Sequence, residues 1–343
     1  MNGVTYSDDR DIPPEAKVAF LKRAASFPEQ PARVEAIETH MSWVFLTERH
    51  AYKLKKPVRT EFLDYGSLAA RCRHCEAEVG LNRPLAKDVY LGTVRLVADP
   101  AGALQLGGRG CLVDWLVKMR RLPADVRLDV AIARGEVDWE RLRTALELIT
   151  AFYVDAPPAG IGPADYRRRI EREIDADREV LAMPSHRVPL AMTNRVIEAQ
   201  RAFLRDHAYL IERRAEHVIE GHGDLRPEHI YLLAEPVIVD RLEFNRDLRL
   251  VDPAGELAFL AMECERLGES SVGALALEVY TRDKGDRPPT PMVAFYRSRS
   301  ACVRARIAIW HIADPTAPVA SPWLDRAARY LELAERDLAG IGL

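Results

Sequence analysis

His222-Gly-Asp-Leu-Arg-Pro-Glu-His229-Ile-Tyr-Leu-Leu233, followed by the apolar run from Pro236 to Val239 that ends on Asp240, is the stretch on which the reading of this chain turns. Phosphoryl transfer needs a carboxylate to hold the attacking hydroxyl, a metal-binding side chain a few positions on, and a second metal carboxylate at the end of a following strand. Asp224, His229 and Asp240 stand in that order, His229 five positions and Asp240 sixteen positions after Asp224. Between them the pattern predicts a hairpin: apolar Ile230 to Leu233, a turn at Ala234-Glu235-Pro236, then apolar Val237 to Val239. Such chemistry is mostly positioning and charge neutralisation, which carboxylates on a tight loop and at a strand end supply. Asp224 is therefore the candidate catalytic residue, and Asp240 and His229 are the candidate metal ligands. His229 is the unusual one, because an oxygen ligand such as Asn is expected at its place.

Working outward, the N-terminal third predicts a sheet with one intervening helix. Ser42 to Leu46 and Ala51 to Lys55 form a hairpin in outline, and a helix follows from about Leu68 to Leu85. Strands then run from Val89 to Ala98, Ala103 to Leu106 and Cys111 to Met119. From about Pro123 the pattern turns helical, with segments near 140–153, 166–181, 193–216, 254–267, 272–282, 292–312 and 323–338. The fold class expected is therefore α+β and bilobal: a small β-rich nucleotide-binding lobe over 1–120 and a larger helical lobe over 121–343 carrying the catalytic loop. A hinge near Met119 to Pro123 would join them, with a nucleotide cleft between the lobes.

The small lobe should supply a phosphate clamp, a strand lysine paired with a carboxylate on the next helix. Lys53 and Lys55 share one strand face by period-two alternation, with Tyr52 and Leu54 on the other. Lys55 is slightly favoured over Lys53. On the helix, Glu78 is favoured over Glu76 because it lies beside the apolar stripe Leu68, Cys72, Cys75 and Val79, which also accounts for the Cys72-Arg-His-Cys75 pair as buried helix positions. No glycine-rich phosphate cover is present. Backbone amides and the hydroxyls of Thr39 and Ser42, in Glu38-Thr-His-Met-Ser42, would take its place.

Bulk properties narrow the class. Hydrophobic residues at 48% exclude a disordered chain, and a net charge of −3 argues against a nucleic-acid partner. No apolar run approaches a membrane span, no secretory leader is visible, and five cysteines fit a reducing compartment, so a cytoplasmic protein with a small-molecule acceptor is expected. A P-loop NTPase is excluded because no GxxxxGK[ST] occurs. A metallophosphoesterase would need an early Asp-x-His and a downstream Gly-Asn-His, and neither occurs.

Taken together, His222-Gly-Asp224, the strand ending at Asp240 and Val251-Asp-Pro-Ala-Gly-Glu256-Leu-Ala258 resemble the aminoglycoside phosphotransferase family, a kinase-like fold. Glu38 to Leu46, Tyr52 to Pro57 and Leu242-Glu-Phe-Asn245 are similar to an uncharacterised bacterial branch of it that is often fused to a P-loop kinase domain. The resemblance implies an ATP- and Mg²⁺-dependent small-molecule kinase. In it Asp224 orients or deprotonates the acceptor hydroxyl, Asp240 holds Mg²⁺, and Lys55 binds phosphates with Glu78 as its orienter. Backbone around Met119, from Lys118 to Arg121, receives the adenine, and Asp252 braces the loop or caps the next helix. A nucleotide-binding pseudokinase or regulatory module is the alternative implied by His229 and the missing glycine loop. Acidic residues Glu243, Asp247 and Glu263 could attract a cationic acceptor, although a solvated acidic surface reads the same way.

Overall fold

Tyr52 and Leu54 point into one apolar cluster with Leu21, Phe27, Phe45, Leu96 and Leu116, and this alternation orients the whole N-terminal sheet. The computed structural model describes residues 12–60, 63–183, 188–313 and 321–340. Its contacts divide the chain into two compact units, one of residues 1–125 with 237–246, the other of residues 126–236 with 247–343.

In the first unit, α1 (Pro14–Leu21) precedes β1 (Glu35–Glu38), β2 (Ser42–Leu46), β3 (His50–Lys55), α2 (Leu68–Asn82), β4 (Tyr90–Ala98), β5 (Leu104–Leu106) and β6 (Cys111–Arg120). The six strands are antiparallel in the order β1-β2-β3-β6-β4-β5. Ser67 caps α2 by accepting from the Ala70 amide at 3.1 Å. The helix lays Cys75 and Val79 onto Val89, Tyr90 and Val117, so the lysine face of β3 looks toward α2. The short strand Val237–Ile238 belongs to this unit, with Val237 and Val239 packed against the same cluster.

The second unit is helical: α3 (Leu128–Arg134), α4 (Trp139–Asp155), α5 (Pro163–Leu181), α6 (Leu190–Asp206), α7 (Ala208–Arg214), α8 (Pro253–Arg266), α9 (Ser271–Lys284), α10 (Thr290–Ala313) and α11 (Ser321–Ala339). Its loop strands are two residues each: Ile219–Glu220, which pairs antiparallel with Leu250–Val251, and Ile230–Tyr231, where Tyr231 also bridges Arg127. The expected helix over 193–216 is broken at His207, whose φ of −123° and ψ of 27° leave the helical region. The His207 ring packs on Phe203 at 4.8 Å, and α7 then carries Arg214 into the buried pair with Asp252 described below. Among the described residues no helix is long and apolar enough to cross a membrane.

One buried acid in this unit stands apart from the loop. Asp177 on α5 is fully buried, and its oxygens accept no hydrogen bond among the described residues. Arg306 Nη1 lies 3.0 Å from Oδ1 but is not aligned to donate. Burial pushes the carboxyl up to about 7 against the pull of Arg306 and Arg299. The folded state therefore holds a proton that the unfolded chain releases at its ordinary, lower pKa, and stability falls as pH rises through that window. Asp177→Asn is expected to remove this slope and to raise stability at pH 8 by about 1–2 kcal/mol in denaturant melts across pH 5–8.

Candidate functional site

Lys53 and Lys55 converge on the same carboxylate. Lys53 Nζ donates to Glu78 Oε1 at 2.9 Å, and Lys55 Nζ donates to Glu78 Oε2 at 2.5 Å. Glu78 is fully buried, whereas Glu76 is exposed. The lysines then part company. Lys53 Nζ also meets Asp240 Oδ1 at 2.9 Å, and its side chain keeps 17% exposure. Lys55, with no side-chain exposure, turns to Glu243 Oε1 at 2.5 Å, and Tyr65 donates to that same oxygen. Burial alone would lower both ammonium groups, but Asp240, Glu78 and Glu243 carry Lys53 well above the usual lysine range, and Glu78 and Glu243 raise Lys55. Both are fixed cations.

Asp240 sits in the left-handed region at φ 63°, a conformation that a non-glycine residue holds only where its neighbours enforce it. Here its amide donates to Tyr90 Oη at 3.0 Å. One residue on, the Arg241 amide donates to Asn82 Oδ1 at 2.8 Å, and Asn82 Nδ2 returns a bond to the Arg241 carbonyl at 3.3 Å. The Asp240 carboxylate, 46% exposed beside the Lys53 ammonium, is a hard oxygen donor of the kind a phosphate-bound Mg²⁺ accepts, so these residues fit Mg²⁺-nucleotide. Met119 lies on β6 in register with Ala51 and Tyr90. The Arg120 and Arg121 amides beside it donate to the Val89 and Arg49 carbonyls at 2.8 Å each. The Glu38 to Ser42 turn closes on itself. The Thr39 amide and hydroxyl both donate to the Ser42 carbonyl, and the Ser42 amide donates to Thr39 Oγ1, so the expected phosphate cap is engaged locally.

In the second unit, Glu256 organises the loop from below. It accepts from the His222 amide at 3.0 Å, from the Gly223 amide, and from Tyr153 Oη at 2.7 Å. Gly223 turns the chain at φ 88°. Asp252 caps α8 by accepting from Ala254 at 3.0 Å, as its place before Pro253 implies, and is held by Arg214 through two 2.6 Å bonds. Gly221 is required by close approach. A Cβ there would stand 2.5 Å from Val251 Cγ2 and 2.8 Å from Glu256 Oε2. Gly221→Ala should displace Glu256 from the loop amides and cost about 1–3 kcal/mol, read as a drop in melting temperature.

Asp224 accepts from Arg226 Nε at 3.0 Å. Burial would raise its carboxyl, but Arg226, His229, Arg304 and His222 together bring it below the usual carboxylate range. His229, the other candidate metal ligand, is hydrogen-bonded through both ring nitrogens. Its Nδ1 lies 2.8 Å from the Asp224 carbonyl, which only accepts, so Nδ1 carries the proton; Arg226 Nη2, which only donates, fills Nε2 at 3.1 Å. Both ring nitrogens are thus engaged.

Of the acidic residues for which a solvated surface was the better reading than a cationic-acceptor site, two are not solvated. Glu243 is bound to Lys55, and Glu263 is buried against Tyr330 Oη at 2.8 Å, Arg266 at 2.8 Å and Arg304 at 3.0 Å. Neither faces solvent. Sequence reading missed Asn82, Tyr90, Tyr65 and Glu243 as the frame of the Asp240 segment, and Arg226 as the partner of Asp224. The Leu242-Glu-Phe-Asn245 pattern was the one available pointer to Glu243.

No family model matches the chain. An uncharacterised protein of Mycobacterium tuberculosis and one of Mycobacterium bovis are each 30% identical over 291 residues, 80% of this chain, and the chain spans about half, 54%, of their length. Among solved structures, the GDP complex of aminoglycoside 2'-phosphotransferase-IIIa is 15% identical with a TM-score of 0.54, over 96% of this chain and 100% of that one. Choline kinase from Cryptosporidium parvum is 10% identical, with a TM-score of 0.55 over 95% and 97%. A choline/ethanolamine kinase family protein from Mesorhizobium loti is 16% identical, with a TM-score of 0.51 over 95% and 98%. The antiparallel N-terminal sheet and helical C-terminal part are thus the fold of aminoglycoside phosphotransferases and choline kinases.

Proposed function

We propose that the protein is an ATP-dependent phosphotransferase that moves the γ-phosphoryl group to a hydroxyl or amine of a small molecule. The observation that carries this reading is Lys53 Nζ held at 2.9 Å from both Glu78 and Asp240: a fixed ammonium beside a partly exposed carboxylate. Lys53 rather than Lys55 then receives the phosphates, and Lys55 is a buried brace for Glu243. Asp240 holds Mg²⁺, which when bound neutralises charge on the phosphate oxygens. Backbone beside Met119 receives the adenine. Asp224, ionised and steered by Arg226, orients the acceptor hydroxyl and takes its proton. Nucleotide in the aminoglycoside phosphotransferase structure supports the same chemistry here. A nucleotide-binding module with little turnover is the second reading, favoured by the His229 ring engaged at both nitrogens. ATP consumption over an acceptor panel, wild type against Asp224→Ala, separates the two. Asp224-dependent turnover on any acceptor supports the enzyme, and none supports the module.

A further inference from the structure

Three arginines, Arg226, Arg304 and Arg326, line one cavity with His311. This cavity, of about 270 Å³, is lined by Arg226, Arg304, Ile307, Ala308, His311, Trp323 and Arg326, with no acidic side chain among the described residues of its wall. That volume is close to the lower end of ligand pockets, roughly 300–1,000 Å³. On α10, Arg304, Ile307, Ala308 and His311 recur at helical spacing and form one wall, while Trp323 and Arg326 of α11 belong to the other. Arg226 joins the cavity to the candidate catalytic carboxylate, its Nε lying 3.0 Å from Asp224 Oδ2.

The charges around the cavity do not cancel. Arg226 is matched by Asp224 and, at 3.9 Å, by Glu228, but Arg304 shares Glu263 with Arg266, one carboxylate for two guanidiniums. Arg326 has no carboxylate within ion-pair reach among the described residues; its guanidinium lies 5.2 Å over the Trp323 ring. Trp323 is itself stacked on His311, with centroids 4.1 Å apart and planes at 17°. The far end of the cavity is thus a prearranged aromatic and cationic wall. Arginine's planar fork matches carboxylate and phosphate oxygens, and a cationic ligand here would meet like charge on several sides.

We propose that this cavity receives the acceptor, and that the acceptor is a hydroxylated small molecule carrying an oxyanion, a carboxylate or a phosphate, seated on Arg304 and Arg326 with its hydroxyl turned to Asp224. Trp323 and Ile307 flank its carbon skeleton. The site rests on the phosphotransferase reading for its role, but its ligand chemistry rests on the arginines alone.

Titration calorimetry on the full chain, with Mg²⁺ and a non-hydrolysable ATP analogue present, tests it with four probes: glycerate, glucose 6-phosphate, glucosamine and glucose. One of the two anions is expected to bind one to one, and which one tells carboxylate from phosphate. Arg326→Glu should weaken that binding about ten- to hundredfold, the scale of one hydrogen bond to an ionised group. Arg326→Lys should keep part of it, and affinity for the analogue serves as the folding control. Binding of glucosamine alone, anion binding indifferent to both Arg326→Glu and Arg304→Met, or no anion binding by a chain that takes the analogue would each overturn the proposal. A chain that takes the anion through Arg326 but not the analogue keeps the anion site and removes the phosphotransferase reading alone.

Discussion

Asp224→Asn is expected to lower kcat by about 10²–10⁴-fold, the range for losing a positioned general base, while nucleotide affinity changes little. The two effects separate because Asp224 belongs to the helical unit, and Lys53, Glu78 and Asp240 to the sheet unit. Asparagine keeps the shape and an acceptor for Arg226 Nε but cannot take a proton. The pH profile should carry a matching signature. Burial works to raise the Asp224 carboxyl, and Arg226 followed by His229 overrides it, so the folded pKa lies below the ordinary carboxylate value. A depressed acid stays ionised above that value, and activity is lost only as pH falls through the folded pKa. The acid limb of kcat should therefore lie below the ordinary aspartate value of about 4. Arg226→Ala should move that limb upward. A loss of less than about tenfold in Asp224→Asn would mean that the carboxylate only shapes the loop.

Much of this arrangement could be read from residues alone, and the reason is local. Tyr52, Lys53, Leu54 and Lys55 alternate because a strand has period two, and one face is apolar, so both lysines were assigned to the other face without coordinates. Glu78 was legible because it flanks the Cys75 and Val79 stripe of α2. The ranking of the two lysines was not legible. It depends on Asp240 and Glu243, which lie nearly 190 positions further on and choose between Nζ groups by tertiary packing. The His229 ring is a similar case. Spacing marks it as a ligand position, but the proton on Nδ1 is set by a backbone carbonyl and Nε2 is engaged by Arg226, a residue to which sequence reading gave no role. The break at His207 carried no signal either, since Leu204 and Ile211 are seven positions apart and keep the helical stripe running across it.

Lys55→Met is expected to cost about 3–5 kcal/mol of stability, because it removes the nearest cation from a buried carboxylate. Glu78 would keep Lys53, but Glu243, only 6% exposed, would lose the ammonium 2.5 Å away that neutralises it most directly. Burial raises the Glu243 carboxyl, and Lys55, then Lys53, bring it below the ordinary range. With Lys55 gone the buried carboxylate loses its main neutralising charge, so the deficit should grow as pH rises above about 4.5 and shrink below it. Adding Glu243→Leu removes that buried charge and should restore most of the loss, a coupling that a double-mutant cycle in denaturant measures directly. Lys53→Met should behave in the opposite way. Glu78 retains Lys55 and Asp240 is nearly half exposed to water, so the stability cost should stay within about 1 kcal/mol. Affinity for an ATP analogue should fall about ten- to hundredfold with the loss of an ammonium aimed at the phosphates. If instead Lys55→Met melts like the wild type and loses the nucleotide, while Lys53→Met retains it, the two lysines have the reverse roles and Glu243 serves the phosphate site rather than the frame beneath it.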